Sequence, residues 1–185
     1  MTDHSVFCRS ALILGGARSG KSSYAQKLAE GFVGELCFIA TAQSLDDEMA
    51  ERISRHQADR GPRWRVREEA LDLVAVLREE VRPGRVALVD CLTLWLSNLM
   101  HAGRNVESEV LELTRAVNNL EGPALFVSNE VGLGVAPAYE LGRAFRDAQG
   151  RLNAAMAEAC DTVVWLAAGL PTLLKPAPRP VLMLR

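Results

Sequence analysis

Cysteine is scarce and poorly spaced for a site. The four in 185 residues, Cys8, Cys37, Cys91 and Cys160, are far apart, and no pair has zinc-ligand spacing. Three lie in apolar runs, as buried reduced thiols do, so a disulfide-stapled secreted fold is not expected. Long hydrophobic runs are also missing, since a bilayer span needs about 20 apolar residues. The first ten residues lack the basic stretch and apolar run of a signal peptide. Neither sign of charge dominates: 21 Lys and Arg face 23 Asp and Glu. That balance argues against a general nucleic-acid surface and leaves a local basic pocket open. A cytoplasmic protein with no membrane span and no nucleic-acid partner is the expectation. No repeat, low-complexity stretch or linker divides the chain. One domain over residues 11–185, behind a loose tail at 1–10, is expected.

What is present alternates between two kinds of segment. Short apolar, β-rich runs recur at Ala11–Leu14, Leu36–Thr41, Val86–Asp90, Ala124–Ser128 and Thr162–Ala167. Helical spacing marks Lys21–Glu30, Asp46–Arg60, Leu71–Val81, Val106–Leu120 and Leu141–Cys160. In the last of these, Leu141, Phe145, Ala148, Leu152, Ala155 and Ala159 form one stripe. Apolar strands alternating with helices predict an α/β fold with a mainly parallel sheet covered on both faces. After the three prolines of "KPAPRPVLMLR", the short apolar end suits an edge strand.

The most informative stretch is "GGARSGKSS", Gly15 to Ser23. Gly15, four residues, then Gly20, Lys21 and Ser22 spell a P-loop between a strand run and a helical run. Its glycines let backbone N–H groups approach phosphate oxygens, and the helix start faces the anion with its positive end. Lys21 suits the β- and γ-phosphates, and the Ser22 hydroxyl suits Mg²⁺. "RVALVD" then ends an apolar strand in Asp90, which reads either as the second metal-side acid or as the cap of the helix in "CLTLWLSNLM". "FVSNEVGLG" ends another strand in Ser128, Asn129 and Glu130. These read equally as a base or water-positioning group and as loop formers. In Asp46–Arg60, Arg52, His56 and Arg60 fall near one helix face with Arg55 beside them. That is either a solvated basic face or a nucleophilic imidazole among phosphate-neutralising arginines.

Five blocks then carry a resemblance: "GGARSGKS", "FIATAQSLDDEMAERISRHQADRGPRW", "LVDCLTLWLSNLM", "VSNEVGLGVAP" and "FRDAQGRLN". Together, across Ala11 to Lys175, the chain resembles the bifunctional adenosylcobinamide kinase/adenosylcobinamide-phosphate guanylyltransferases of cobalamin biosynthesis. The resemblance implies a P-loop NTPase-like (RecA-like) three-layer sandwich. It implies phosphorylation of adenosylcobinamide by ATP or GTP with Mg²⁺. Transfer of GMP from GTP to that phosphate follows, through a GMP-histidine intermediate. The family histidine matches His56, with Lys21 the second catalytic group. The family's nucleotide contacts match Gly15, Gly16, Ala17, Arg18, Ser19, Gly20, Lys21, Ser22, Thr41, Ala42, Gln43, Gln57, Ala58, Asp59, Arg60, Glu68 and Asp90; Ser22 and Asp90 fall on the metal side. A homotrimer is implied as well. The chain departs from the family pattern at Ala138-Tyr139, where Glu-Asn is usual, and at Arg55, where some relatives carry a second histidine. Kinase chemistry attacks the γ-phosphorus and guanylyl transfer the α-phosphorus, so movement of the His56 helix or a second nucleotide pose is expected. A plain small-molecule kinase, with His56 idle, and a nucleotide-driven switch are the competing readings.

Overall fold

The structure, a computed structural model, describes residues 8–42 and 63–177. Among these, seven strands form one sheet. They are β1 (Ser10–Gly15), β2 (Glu35–Ala40), β3 (Trp64–Glu68), β4 (Arg85–Asp90), β5 (Ala124–Asn129), β6 (Thr162–Ala167) and β7 (Leu170–Lys175). Their order across the sheet is β3-β2-β4-β5-β1-β6-β7. All neighbours run parallel except β6 and β7. The helices are α1 (Lys21–Glu30), α2 (Leu73–Glu80), α3 (Leu92–His101), α4 (Val106–Asn118) and α5 (Glu140–Ala159). The expected helix over Asp46–Arg60 lies outside the described residues.

Strand alternation divides the core in two. Leu12, Val89 and Phe126 point to one face, where they meet Leu77 of α2, Trp95 of α3, Leu113 of α4 and Leu152 of α5. Ile13, Leu88 and Val127 point to the other, where they meet Ala25 and Ala29 of α1. Buried on both faces, the central strands read as continuous apolar runs, as parallel strands do. Helix α3 is apolar nearly all round because it is buried nearly all round, and Trp95 Nε1 donates to Leu71 O at 2.9 Å.

Both edge strands differ from the sequence expectation. β3 reads WRVRE and pairs on one side only, so arginines tolerate its exposed positions. β7 reads LPTLLK and is mostly exposed; its Pro171 suits an edge. The edge strand expected after the tail prolines lies outside the described residues, and β7 supplies that edge from an earlier segment. A two-residue turn, Ala168-Gly169, joins β6 to β7 with φ of 51° and 80°. Both values belong to the left-handed region that tight hairpins need. Lys175, at the end of β7, donates to the carbonyls of Ala157, Glu158 and Cys160, closing the C-terminus of α5. One residue of the expected α5 stripe is misplaced: Leu141 is 61% exposed, while Gln149 and Asn153 are buried instead. Strand β1 begins at Ser10, whose hydroxyl accepts from the Asp161 N–H at 2.9 Å.

Candidate active site

The C-terminal ends of the parallel strands converge on one edge. Register places Glu68 beside Ala40, Ala40 beside Asp90, Asp90 beside Val127, and Asn129 beside Gly15. Gly15–Ser22, Thr41, Ala42, Glu68 and Asp90 therefore share that edge. Gln43, His56, Gln57, Ala58, Asp59 and Arg60 lie outside the described residues.

Two positions of the P-loop backbone, Gly15 and Gly20, require glycine. A Cβ on Gly15 would stand 2.4 Å from Leu166 O and 2.7 Å from Ser19 Oγ. Gly20 has φ 95° and forms the N-cap of α1. No side chain caps this helix start, which leaves its first N–H groups for an anion. Lys21 folds back into the loop: Nζ donates to Gly16 O at 2.6 Å and lies 3.4 Å from Ser19 Oγ. Burial pushes its ammonium below the usual lysine range, and the nearby Asp90 carboxylate offsets part of that shift. The influence of Asp90 on Lys21 couples the carboxylate end of β4 to the loop.

Asp90 is half-buried, and the N-cap of α3 is Cys91. Thr41 holds this junction. Its hydroxyl donates to Cys91 O at 2.7 Å and accepts from Cys91 N–H at 2.8 Å, while its N–H donates to Asp90 O at 3.3 Å. Asn98 Nδ2 donates to Thr41 O at 2.8 Å. Thr41 is fully buried, so its polar groups serve to mount Asp90. Burial, with help from Asp90, pushes the Cys91 thiol up to about 11, which keeps it neutral and unsuited to nucleophilic attack. His101 lies at the far end of α3, its Nδ1 2.7 Å from Ser97 O; the helix is about 15 Å long, so this ring is remote from the edge. His4 lies outside the described residues.

Among the described residues, no group of three or more His, Cys, Asp or Glu is arranged to hold a metal. At this edge the end of β4 offers one carboxylate, Asp90, and the first turn of α1 one hydroxyl, Ser22, and oxygen donors of that kind are chemically compatible with Mg²⁺ when substrate phosphates and water supply its other ligands.

Sequence reasoning passed over Thr93, Asn98, Gln149 and Asn153, which pin the strand ends from α3 and α5. The readable signal was two amides four residues apart, Gln149 and Asn153, within an apolar helical stripe.

A phosphate-binding loop at the carboxyl edge of a parallel sheet, with an acid on a nearby strand, defines a P-loop NTPase-like α/β protein. The assembled ATPase EscN of the enteropathogenic E. coli type III secretion system has this fold, with a TM-score of 0.59 and 9% identity over 87% of this chain and 43% of that one. A prototypical type III secretion ATPase of pathogenic bacteria gives 0.55 and 11% over 86% and 51%. The chain spans about half the length of those ATPases, and the likeness is one of fold. A family model described as "CobU: Cobinamide kinase / cobinamide phosphate guanyltransferase" matches residues 11–174, and the chain belongs to that family. It is 48% identical over 169 residues to the bifunctional adenosylcobalamin biosynthesis protein CobP of Pseudomonas aeruginosa, covering 90% of this chain and 98% of that protein. It is 34% identical over 179 residues to the protein named CobU of Escherichia coli K12, covering 89% and 98%.

Proposed function

We propose that the chain phosphorylates adenosylcobinamide and then converts the product to adenosylcobinamide-GDP, two consecutive steps of adenosylcobalamin assembly. The single observation that carries this reading is the P-loop with buried Lys21 beside Asp90, in a chain whose family model spans residues 11–174. In the kinase step, the acceptor hydroxyl attacks the γ-phosphorus of ATP or GTP, and the nucleoside diphosphate leaves. Lys21 and the N–H groups at the start of α1 hold the β- and γ-oxygens. Ser22 and Asp90 would hold Mg²⁺, which when bound neutralises charge on the leaving oxygens. In the second step, an imidazole nitrogen of His56 attacks the α-phosphorus of GTP and pyrophosphate leaves. A phosphate oxygen of adenosylcobinamide phosphate then attacks the same phosphorus and frees the imidazole. Nucleotide contacts at Gly15–Ser22, Thr41–Gln43, Gln57–Arg60, Glu68 and Asp90 belong to this reading. So do a single catalytic domain, a homotrimer and a cytoplasmic location; the free cysteines favour a reducing compartment.

Labelled GTP tests the reading. Protein incubated with α-labelled GTP should keep label after denaturation, and γ-labelled GTP should leave none. The adduct should be labile in acid and stable in base, as a phosphoramidate is. His56→Ala should lose the adduct, lower guanylyl transfer by about 10³-fold or more and keep part of the kinase activity. Retention of the α-label by His56→Ala would assign the nucleophile elsewhere, and a plain kinase would show no label in the wild type.

A further inference from the structure

Three polar residues end β5, and they meet three different fates. Ser128 is fully buried; its hydroxyl donates to Asn153 Oδ1 at 2.7 Å and accepts from Gln149 Nε2 at 3.0 Å. Glu130 turns back on its own loop, where Oε1 accepts from the Gly132 N–H at 2.5 Å. Asn129 is held only by its main chain. Its N–H donates to Thr93 Oγ1 at 2.8 Å, and its carbonyl accepts from Asn153 Nδ2 at 3.0 Å. Its side-chain amide, on a half-buried residue, makes no hydrogen bond among the described residues.

Strand alternation sets the direction of that amide. Phe126 packs on the α5 side, Val127 on the α1 side, and Ser128 bonds to α5. Asn129 therefore faces α1. On β4, Leu88 packs on the α1 side and Val89 on the opposite side, so Asp90 faces α1 as well. β5 lies between β4 and β1, with Val127 opposite Asp90 and Asn129 opposite Gly15. The Glu130 N–H donates to Gly15 O at 3.1 Å and ties the strand end to the loop. A neutral amide thus stands between the P-loop and the metal-side acid, on the face where α1 begins. Its backbone is clamped from two helices.

We propose that Asn129 contacts the transferring phosphoryl group in the kinase step, its amide N–H donating to a γ-phosphoryl oxygen. This rests on the kinase reading above. An amide has no proton to give up near neutral pH, so Asn129 orients and stabilises charge and is not the base. Thr93 and Asn153 are positioning residues that hold the Asn129 backbone, and Gln149 completes the mount through Ser128 and Asn153.

Kinetics with adenosylcobinamide, paired with binding of a nucleoside diphosphate and a non-hydrolysable triphosphate, tests the assignment. Asn129→Ala should lower the kinase kcat by about 10²-fold, leave diphosphate affinity within about twofold and weaken the preference for triphosphate. Asn129→Asp has the same shape but adds a negative charge, and should fall further. A kinase kcat for Asn129→Ala within about threefold of wild type overturns the proposal. Should Asn129→Ala lose diphosphate binding as well, Thr93 decides. Thr93→Val should lower kcat about fivefold at unchanged KM for nucleotide, and Thr93→Ser, which keeps the hydroxyl, should restore it. Equal behaviour of the two Thr93 variants then overturns the proposal. If wild-type protein does not phosphorylate adenosylcobinamide, the functional reading fails separately. The triphosphate-to-diphosphate affinity ratio, which needs no acceptor, then decides Asn129, and an unchanged ratio in Asn129→Ala refutes it.

Discussion

Lys21 carries its charge where water is scarce: the residue is 7% exposed, and burial lowers its pKa despite Asp90 nearby. A bound polyphosphate acts the other way and raises it. With a lowered pKa in the free protein and a raised one in the complex, binding takes up a proton between the two values. Nucleotide affinity is therefore full below the free-protein pKa and falls as pH rises through it, earlier than an exposed lysine would allow. Calorimetry in buffers of different ionisation enthalpy should record that uptake, and Lys21→Arg should abolish it, because guanidinium stays charged. A pH-independent wild-type affinity across the alkaline range would remove Lys21 from the phosphates. Asp90→Asn should raise the Mg²⁺ concentration for half-maximal activity about tenfold or more, read by metal titration. Lys21 and Asp90 were legible in the sequence because each ends a local pattern. Asn129 was legible only as one of three polar residues. What singles it out is the pairing of Ser128 with Gln149 and Asn153, which lie some two dozen residues further along the chain.

At the scale of elements, the P-loop rests on the β6–β7 hairpin. The Gly169 N–H donates to Ser19 O at 2.9 Å, and a Cβ on Gly20 would stand 3.3 Å from Gly169 Cα. Nothing in "AAGLPTLLK" spells that contact, since Ala-Gly is a weak turn signal and β7 lacks a buried face. β3 was missed for a related reason: an edge strand with Arg65 and Arg67 carries no apolar run. The opposite edge of the sheet is held by charge. Arg85, which opens β4, pairs with Glu80 at the end of α2 and with exposed Glu35, and Arg67 reaches Glu80 at 3.2 Å. The Arg85 and Glu80 side chains are 7% and 3% exposed. Arg85→Met should cost about 3 kcal/mol in denaturant unfolding, because Glu80 stays buried with less compensation. Kinase activity of the folded fraction should hold, since this pair lies at the edge away from the P-loop. An unchanged denaturation midpoint would mean that Arg65 and Arg67, at 3.5 and 3.2 Å, suffice for Glu80.

For the whole molecule, a site assembled from β1, β4, β5, the β6–β7 turn and α1 exists only when the sheet is complete, so nucleotide should stabilise the entire fold. At a nucleotide concentration of 100 times Kd, the gain is about 2.7 kcal/mol. For a chain of this length that is a rise in Tm of about 5–10 °C, measurable by scanning fluorimetry with Mg²⁺ and GTP. Lys21→Ala should lose most of that rise, and a wild-type Tm indifferent to millimolar nucleotide would refute the site. The amino-acid sequence by itself determined the class of fold, the five inner strands and the phosphate loop. Apolar runs, helical spacing and glycine placement are local properties that a chain displays before it folds. Only the tertiary structure decided that β5 lies between β4 and β1, that the last hairpin supports the loop, and that Asn129 faces α1. Those outcomes depend on which strands pair and which polar groups find buried partners, and that competition is settled among residues distant in the chain.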